Sequence, residues 1–114
     1  MKQIESLRAK REELLCELAG LEQIRRGSVV EQFVEAVKAD GSKTRRGPYA
    51  LYSYKENKKT VSHRVTDPKL AQVYRKQIQA FRRFHDLTQE LVLLGEKISD
   101  AVIHEQDGKK NLNS

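Results

Sequence analysis

The sequence predicts an α+β chain, mainly α, in which an antiparallel helical hairpin, a coiled-coil-like stalk, carries a small antiparallel β-sheet with a β-hairpin inserted between its two helices. Three observations predict it. Residues 2–26 and 67–105 repeat apolar side chains at helical spacing, whereas residues 29–65 between them are rich in β-branched and aromatic residues punctuated by turn signals. The chain has 114 residues, of which 38% are hydrophobic and 33% charged, so its apolar surface suffices only for a thin core drawn out along a seam. It reads as one domain over 1–106 followed by a disordered tail, 107–114.

In the first segment Ile4, Leu7, Leu14, Leu18 and Leu21 occupy a heptad stripe whose one polar break is Arg11. Arg25, Arg26 and Gly27 close this helix, because cations suit the negative end of a helix dipole and glycine takes the left-handed cap position. Val29, Val30, Phe33, Val34 and Val37 follow as a β-rich stretch with a strand expected in its second half. Asp40-Gly41-Ser42 is a turn, residues 43–47 are a basic loop, and Pro48 opens a hairpin over 48–65. With Asn57 and Lys58 as its two-residue tip, Tyr54 pairs with Val61, Tyr52 with His63 and Ala50 with Val65.

Asp67-Pro68 starts the second helix, since the carboxylate accepts from a free N–H and Pro68 has none to lose. The apolar period then runs from Leu70 to Val102 and carries the helix to residue 105. Pairing the first helix antiparallel with the distal part of the second sets Leu7, Leu14 and Leu21 against Ile98, Leu91 and Phe84, with Leu18 in the same seam. Leu70, Val73, Tyr74 and Ile78 are left to cover one face of the hairpin.

Charge is unevenly placed. The chain holds 22 Lys and Arg against 16 Asp and Glu, a net +6, yet residues 38–83 alone contain thirteen basic and three acidic side chains, so that segment is +10 and the remainder −4. Such a concentration calls for an anionic partner, and the expected one is nucleic acid, with DNA ahead of RNA. Lys43, Arg45, Arg46, Lys55, Lys58, Lys59 and Arg64 of the loop and hairpin are the candidate phosphate contacts. Lys69, Lys76 and Arg83, spaced seven apart on one helix face, extend the track. The competing expectation is an adaptor whose leucine seam recruits a protein partner or a second copy of the chain.

Catalysis is not expected. No phosphate-binding glycine loop, paired acid motif or catalytic triad is present; His63, His85 and His104 lack metal-ligand spacing, and Cys16 stands alone. The sequence therefore predicts a non-enzyme with no cofactor and no metal. No apolar run reaches the roughly 18 residues that span a bilayer, and Met1 to Glu5 do not open a signal peptide, which predicts a cytoplasmic chain without membrane contact.

Arg25-Arg26-Gly27-Ser28-Val29-Val30, Arg46-Gly47-Pro48-Tyr49, Asn57-Lys58-Lys59-Thr60 and Val73-Tyr74-Arg75-Lys76 with Phe81-Arg82-Arg83-Phe84 together resemble a family of small bacterial and archaeal proteins of unassigned activity. Its members combine a Gly-Ser opening, a His-Gly-Pro-Tyr-like strand start, a Gly-Lys hairpin and a long helix with an aromatic-Arg-aromatic pattern, and some are encoded beside transposases. The resemblance covers residues 25–100 and implies the helix, hairpin, long-helix order and a mobile-element setting. It lends no catalytic residue. Where many relatives carry a cysteine metal clip before Gly-Pro-Tyr, this chain has Asp40, Gly41, Ser42 and Lys43; Arg46 stands for the usual His, and Lys58 for the usual turn Gly.

Overall fold

The computed structural model describes residues 2–112 and orders them as α1 (Lys2–Gly20), β1 (Ser28–Val37), β2 (Lys43–Glu56), β3 (Lys59–Val65) and α2 (Pro68–Leu112). Two helices with a three-stranded antiparallel sheet between them in the chain are the expected α+β class. The chain divides into two compact units, residues 1–22 with 82–114, and residues 23–81, where the sequence reads as a single domain.

In the helical unit, Leu14, Leu87 and Leu94 are buried, and Leu7, Leu18, Leu21, Leu91 and Ile98 pack against them. Leu87 is 0% exposed and forms the centre of the seam. Each leucine so buried contributes about 1.5–3 kcal/mol by removal from water. Phe84 is half-buried. Arg83 donates through Nη2 to Oε1 of Glu17 at 2.8 Å and through Nε to Oε2 of the same carboxylate, a two-pronged pair across the helices. Those hydrogen bonds hold the Glu17 carboxyl below its ordinary range and raise the Arg83 guanidinium further.

The first helix stops at Gly20, six residues short of the expected end. In the sheet unit the backbone N–H of Arg25 donates to the carbonyl of Gln77 at 3.1 Å. The Arg25 guanidinium meanwhile lies 4.1 Å from the Tyr74 ring and donates to Oε1 of Gln77 at 2.9 Å. The backbone around Arg25 is thus drawn along α2 instead of continuing the helix. Gly27, expected as the helix cap, instead opens β1 with φ at +113°, and a Cβ there would meet the Ser53 carbonyl oxygen at 2.2 Å.

The sheet runs β1-β2-β3, with Ala50, Tyr52 and Tyr54 opposite Val65, His63 and Val61, the predicted hairpin register. Asn57 and Lys58 form its tip with φ of 50° and 67°. Residues 43–47, expected as a loop, are the first part of β2 and pair with Val34 to Val37 of β1. Lys43 to Arg46 are folded back onto Val37 to Val34 by the Asp40-Gly41-Ser42 turn, where the N–H of Lys38 donates to the carbonyl of Ser42 at 2.7 Å, so the basic stretch is the second arm of a hairpin. Between Gln32 and Val34 the register shifts: one residue of β1, Phe33, faces two of β2, Gly47 and Pro48.

Tyr52, Val65, Ala71 and Ile78 form the core of this unit, flanked by Val29, Ala50, Tyr54 and Tyr74. The Tyr52 hydroxyl donates to the carbonyl of Arg26 at 2.6 Å, so the phenol is buried without an orphaned polar atom. Tyr74 and Ile78 cover the hairpin as expected, but Leu70 and Val73 are exposed. The small Ala71 supplies the close approach, and a helix face centred on positions 71, 74 and 78 turns 70 and 73 aside. Asp67 caps α2, accepting from the N–H of Lys69 at 2.9 Å. That helix continues to Leu112, through most of the tail expected to be disordered; 113 and 114 lie outside the described residues.

Candidate nucleic-acid interface

Strand alternation and the observed register assign every side chain of the sheet to a face. Val29, Ala50, Tyr52, Tyr54, His63 and Val65 lie on the face packed by α2. The opposite, outer face carries Ser28, Val30, Gln32 and Val34 from β1, Arg46, Tyr49, Leu51, Ser53 and Lys55 from β2, and Thr60, Ser62 and Arg64 from β3. The extra residue in β2 keeps Arg46 on the same side as Tyr49 although the two are three apart. Val30 is 50% exposed, and the outer face is solvent-facing over Arg46, Lys55, Thr60, Ser62 and Arg64.

The distribution of charge between the two faces is the central feature of the site. The three carboxylates of the strands, Glu31, Glu35 and Glu56, all alternate to the helix side, where Arg75 approaches Glu31 at 3.7 Å. The outer face retains Arg46, Lys55 and Arg64 with no acidic side chain among the described residues of the strands. Lys58 projects at the adjoining turn, whereas Lys59, opposite Glu56, alternates to the helix side with that carboxylate.

The ten basic candidates therefore do not form one track. Lys43 and Arg45 fall on the other face of the β1–β2 ribbon, where the Arg45 guanidinium sits 3.9 Å from the Phe33 ring. Lys69 and Lys76 are exposed on the side of α2 turned away from Ala71 and Ile78, with the thickness of helix and sheet between them and the outer face. Arg83 belongs to the helical unit and is held by Glu17. Lys59 lies on the helix side opposite Glu56, so Arg46, Lys55 and Arg64, with Lys58 beside them at the turn, are the subset brought together.

Two further features share the outer face. The Arg64 guanidinium lies 4.1 Å from the centroid of the Tyr49 ring, a cation–π contact between β3 and β2. At the corner where β1 begins, Arg26, Ser28, Ser53, Lys55 and Thr60 surround an open cavity of about 430 Å³ beside Gly27. Ser53 and Ser62 share a hydroxyl hydrogen bond of 2.8 Å within the same row. The role of Arg26 and Gly27 here was hidden in the sequence, because both read as the end of a helix.

His63 packs 5.4 Å from the Tyr52 ring, a structural position, and Cys16 is an exposed thiol on α1. Among the described residues no three His, Cys, Asp or Glu side chains converge to hold a metal ion, and no helix is long and apolar enough to cross a membrane. No family model, curated protein or solved structure matches the chain.

Proposed function

We propose that the sheet unit binds nucleic acid through its outer face, with Arg46, Lys55 and Arg64 contacting phosphates and Lys58 adding a contact from the turn. The observation that carries this reading is the segregation of charge: the sheet turns its carboxylates to one side and leaves an uncovered basic face on the other. Cations so placed neutralise phosphates and release the counterions condensed on the polymer. The protein acts as a binding accessory, not a catalyst, and the mobile-element setting implied by the family resemblance is part of the same proposal. The adaptor reading is weaker, because Leu7, Leu14, Leu18 and Leu21 are packed against α2 of their own chain.

Fluorescence anisotropy with labelled DNA, and with RNA of matching sequence, tests it. Four contacts predict an affinity loss on the order of 100-fold between about 50 and about 200 mM salt. The triple variant Arg46→Ala, Lys55→Ala, Arg64→Ala is expected to abolish most of the binding and most of the salt dependence. Lys69→Ala with Lys76→Ala, which removes charge from the far side of α2, is expected to leave both nearly intact. Equal losses from the two variants would mean that net charge alone, and not this face, attracts the polymer.

A further inference from the structure

The same face also distinguishes between forms of nucleic acid. A B-form major groove is about 12 Å wide and admits one helix or a two-stranded ribbon. Three strands spaced about 4.8 Å apart exceed it once their side chains are included, and these strands present a face and not an edge. An undeformed B-form duplex would therefore meet the outer face chiefly through its phosphates. The centre of that face, however, is apolar and aromatic: Val30 and Leu51 lie opposite one another, and Tyr49 with the Arg64 guanidinium above its ring stands beside them. Surfaces of this composition suit bases that have left a stack, which lie flat on aromatic rings or on guanidinium planes.

The corner at Gly27 adds a second subsite. Its cavity of about 430 Å³ lies within the size range of small-ligand pockets, and Arg26 and Lys55 flank it while Ser28 and Thr60 supply hydroxyls. Two cations and hydroxyl donors with no carboxylate among the lining residues are a phosphate's requirements. The corner lies along β2 from Tyr49, about 14 Å away if measured to Ser53 at 3.4 Å per residue. We infer that the outer face is a platform for single-stranded nucleic acid, on which an unpaired base stacks at Tyr49 and Arg64 and a phosphate of the same strand lodges between Arg26 and Lys55.

This inference rests on the proposal that the sheet unit binds nucleic acid, and the test separates the two. The full-length protein is titrated by anisotropy against a labelled oligothymidine of about 16 nucleotides, a duplex of the same length, and an abasic deoxyribose-phosphate strand carrying the same charge. Oligothymidine is expected to bind at least about tenfold more tightly than either. Tyr49→Ala should weaken that binding by on the order of tenfold without changing its salt slope, while Tyr49→Phe retains it. Arg26→Ala with Lys55→Ala removes the one phosphate contact of the corner and should lower the salt slope by about 0.7. If the duplex binds as well as oligothymidine, or the abasic strand does, nucleic-acid binding stands and the single-strand platform is overturned. If none of the three binds, the functional proposal itself fails. The abasic comparison uses the unaltered protein, so its outcome is independent of whether any variant folds.

Discussion

Lys58 occupies the second central position of the β2–β3 turn with φ at +67°, where its neighbour Asn57 sits at +50°. Asparagine tolerates that region through its short polar side chain, but a lysine there sets its Cβ against the following carbonyl at a cost of roughly 1–2 kcal/mol. Replacing Lys58 by glycine removes that cost, and the greater freedom of glycine in the unfolded chain returns about 0.5–1 kcal/mol of it. The net expectation is a gain of about 0.5–1 kcal/mol, equivalent to a rise in Tm on the order of 2–8 °C for a unit of this size. Thermal unfolding followed by circular dichroism measures it. Lys58→Ala keeps a Cβ and should show no such gain.

The same pair of variants also addresses binding. Both remove one cation from the edge of the proposed interface, so both should reduce the salt slope for nucleic acid by a similar amount, about 0.7–0.9. Lys58→Gly is therefore expected to be the more stable protein and the weaker binder. A lysine kept at a position that favours glycine is then explained by its charge. The reasoning is refuted if Lys58→Gly lowers Tm, or if Lys58→Ala raises it equally, since either outcome would show that the left-handed backbone carries no cost here.

Other expectations follow from the two cores. Leu87→Ala removes the side chain that is fully enclosed among the described residues of the helical unit and should cost about 2–5 kcal/mol in urea unfolding; a loss below about 1 kcal/mol would mean that the seam is loosely packed. Tyr52→Phe deletes the donor to the Arg26 carbonyl and should destabilise by about 1 kcal/mol while keeping the ring stack, so a neutral result would show that water serves that carbonyl equally well. Because Arg83 holds the folded-state pKa of Glu17 below its ordinary value of 4.5, the stability contributed by this pair is present at neutral pH and is lost as pH falls through the lowered value. The stability gap between the unaltered chain and Glu17→Gln should accordingly close on titration from about pH 6 to about pH 2; a gap that is constant with pH would assign the effect to packing.

Much of the architecture could be read from local pattern. The hairpin register followed from Asn57-Lys58 lying between two aromatic and β-branched runs, and Asp67-Pro68 marked the start of α2. What escaped was the weight of local signals against composition. The Asp40-Gly41-Ser42 turn returns residues 43–46 onto Val34 to Val37 although their basic side chains suit a loop, and α1 stops at Gly20, five residues before Arg25 reaches Gln77 and Tyr74. The interface was legible as an excess of charge but not as a surface. Which cations share a face is fixed by the parity of the strands, and the single extra residue at Gly47-Pro48 reverses the parity of residues 43–46 relative to residues 49–56. Without it, Arg46 would point with the carboxylates.

The outward side of β1 has a consequence of its own. This strand pairs with β2 alone, and it carries Val30, Phe33, Val34 and Val37 largely uncovered, which is the profile of an edge that invites another strand. A twin of the same chain meets a penalty in one register. In a two-fold, antiparallel meeting centred on Phe33, Glu31 of each chain would land directly across from Glu35 of the other, and like charges so opposed push apart. In that register the edge opposes its own copy by the placement of two side chains, and extended strands without carboxylates at those positions meet no such penalty.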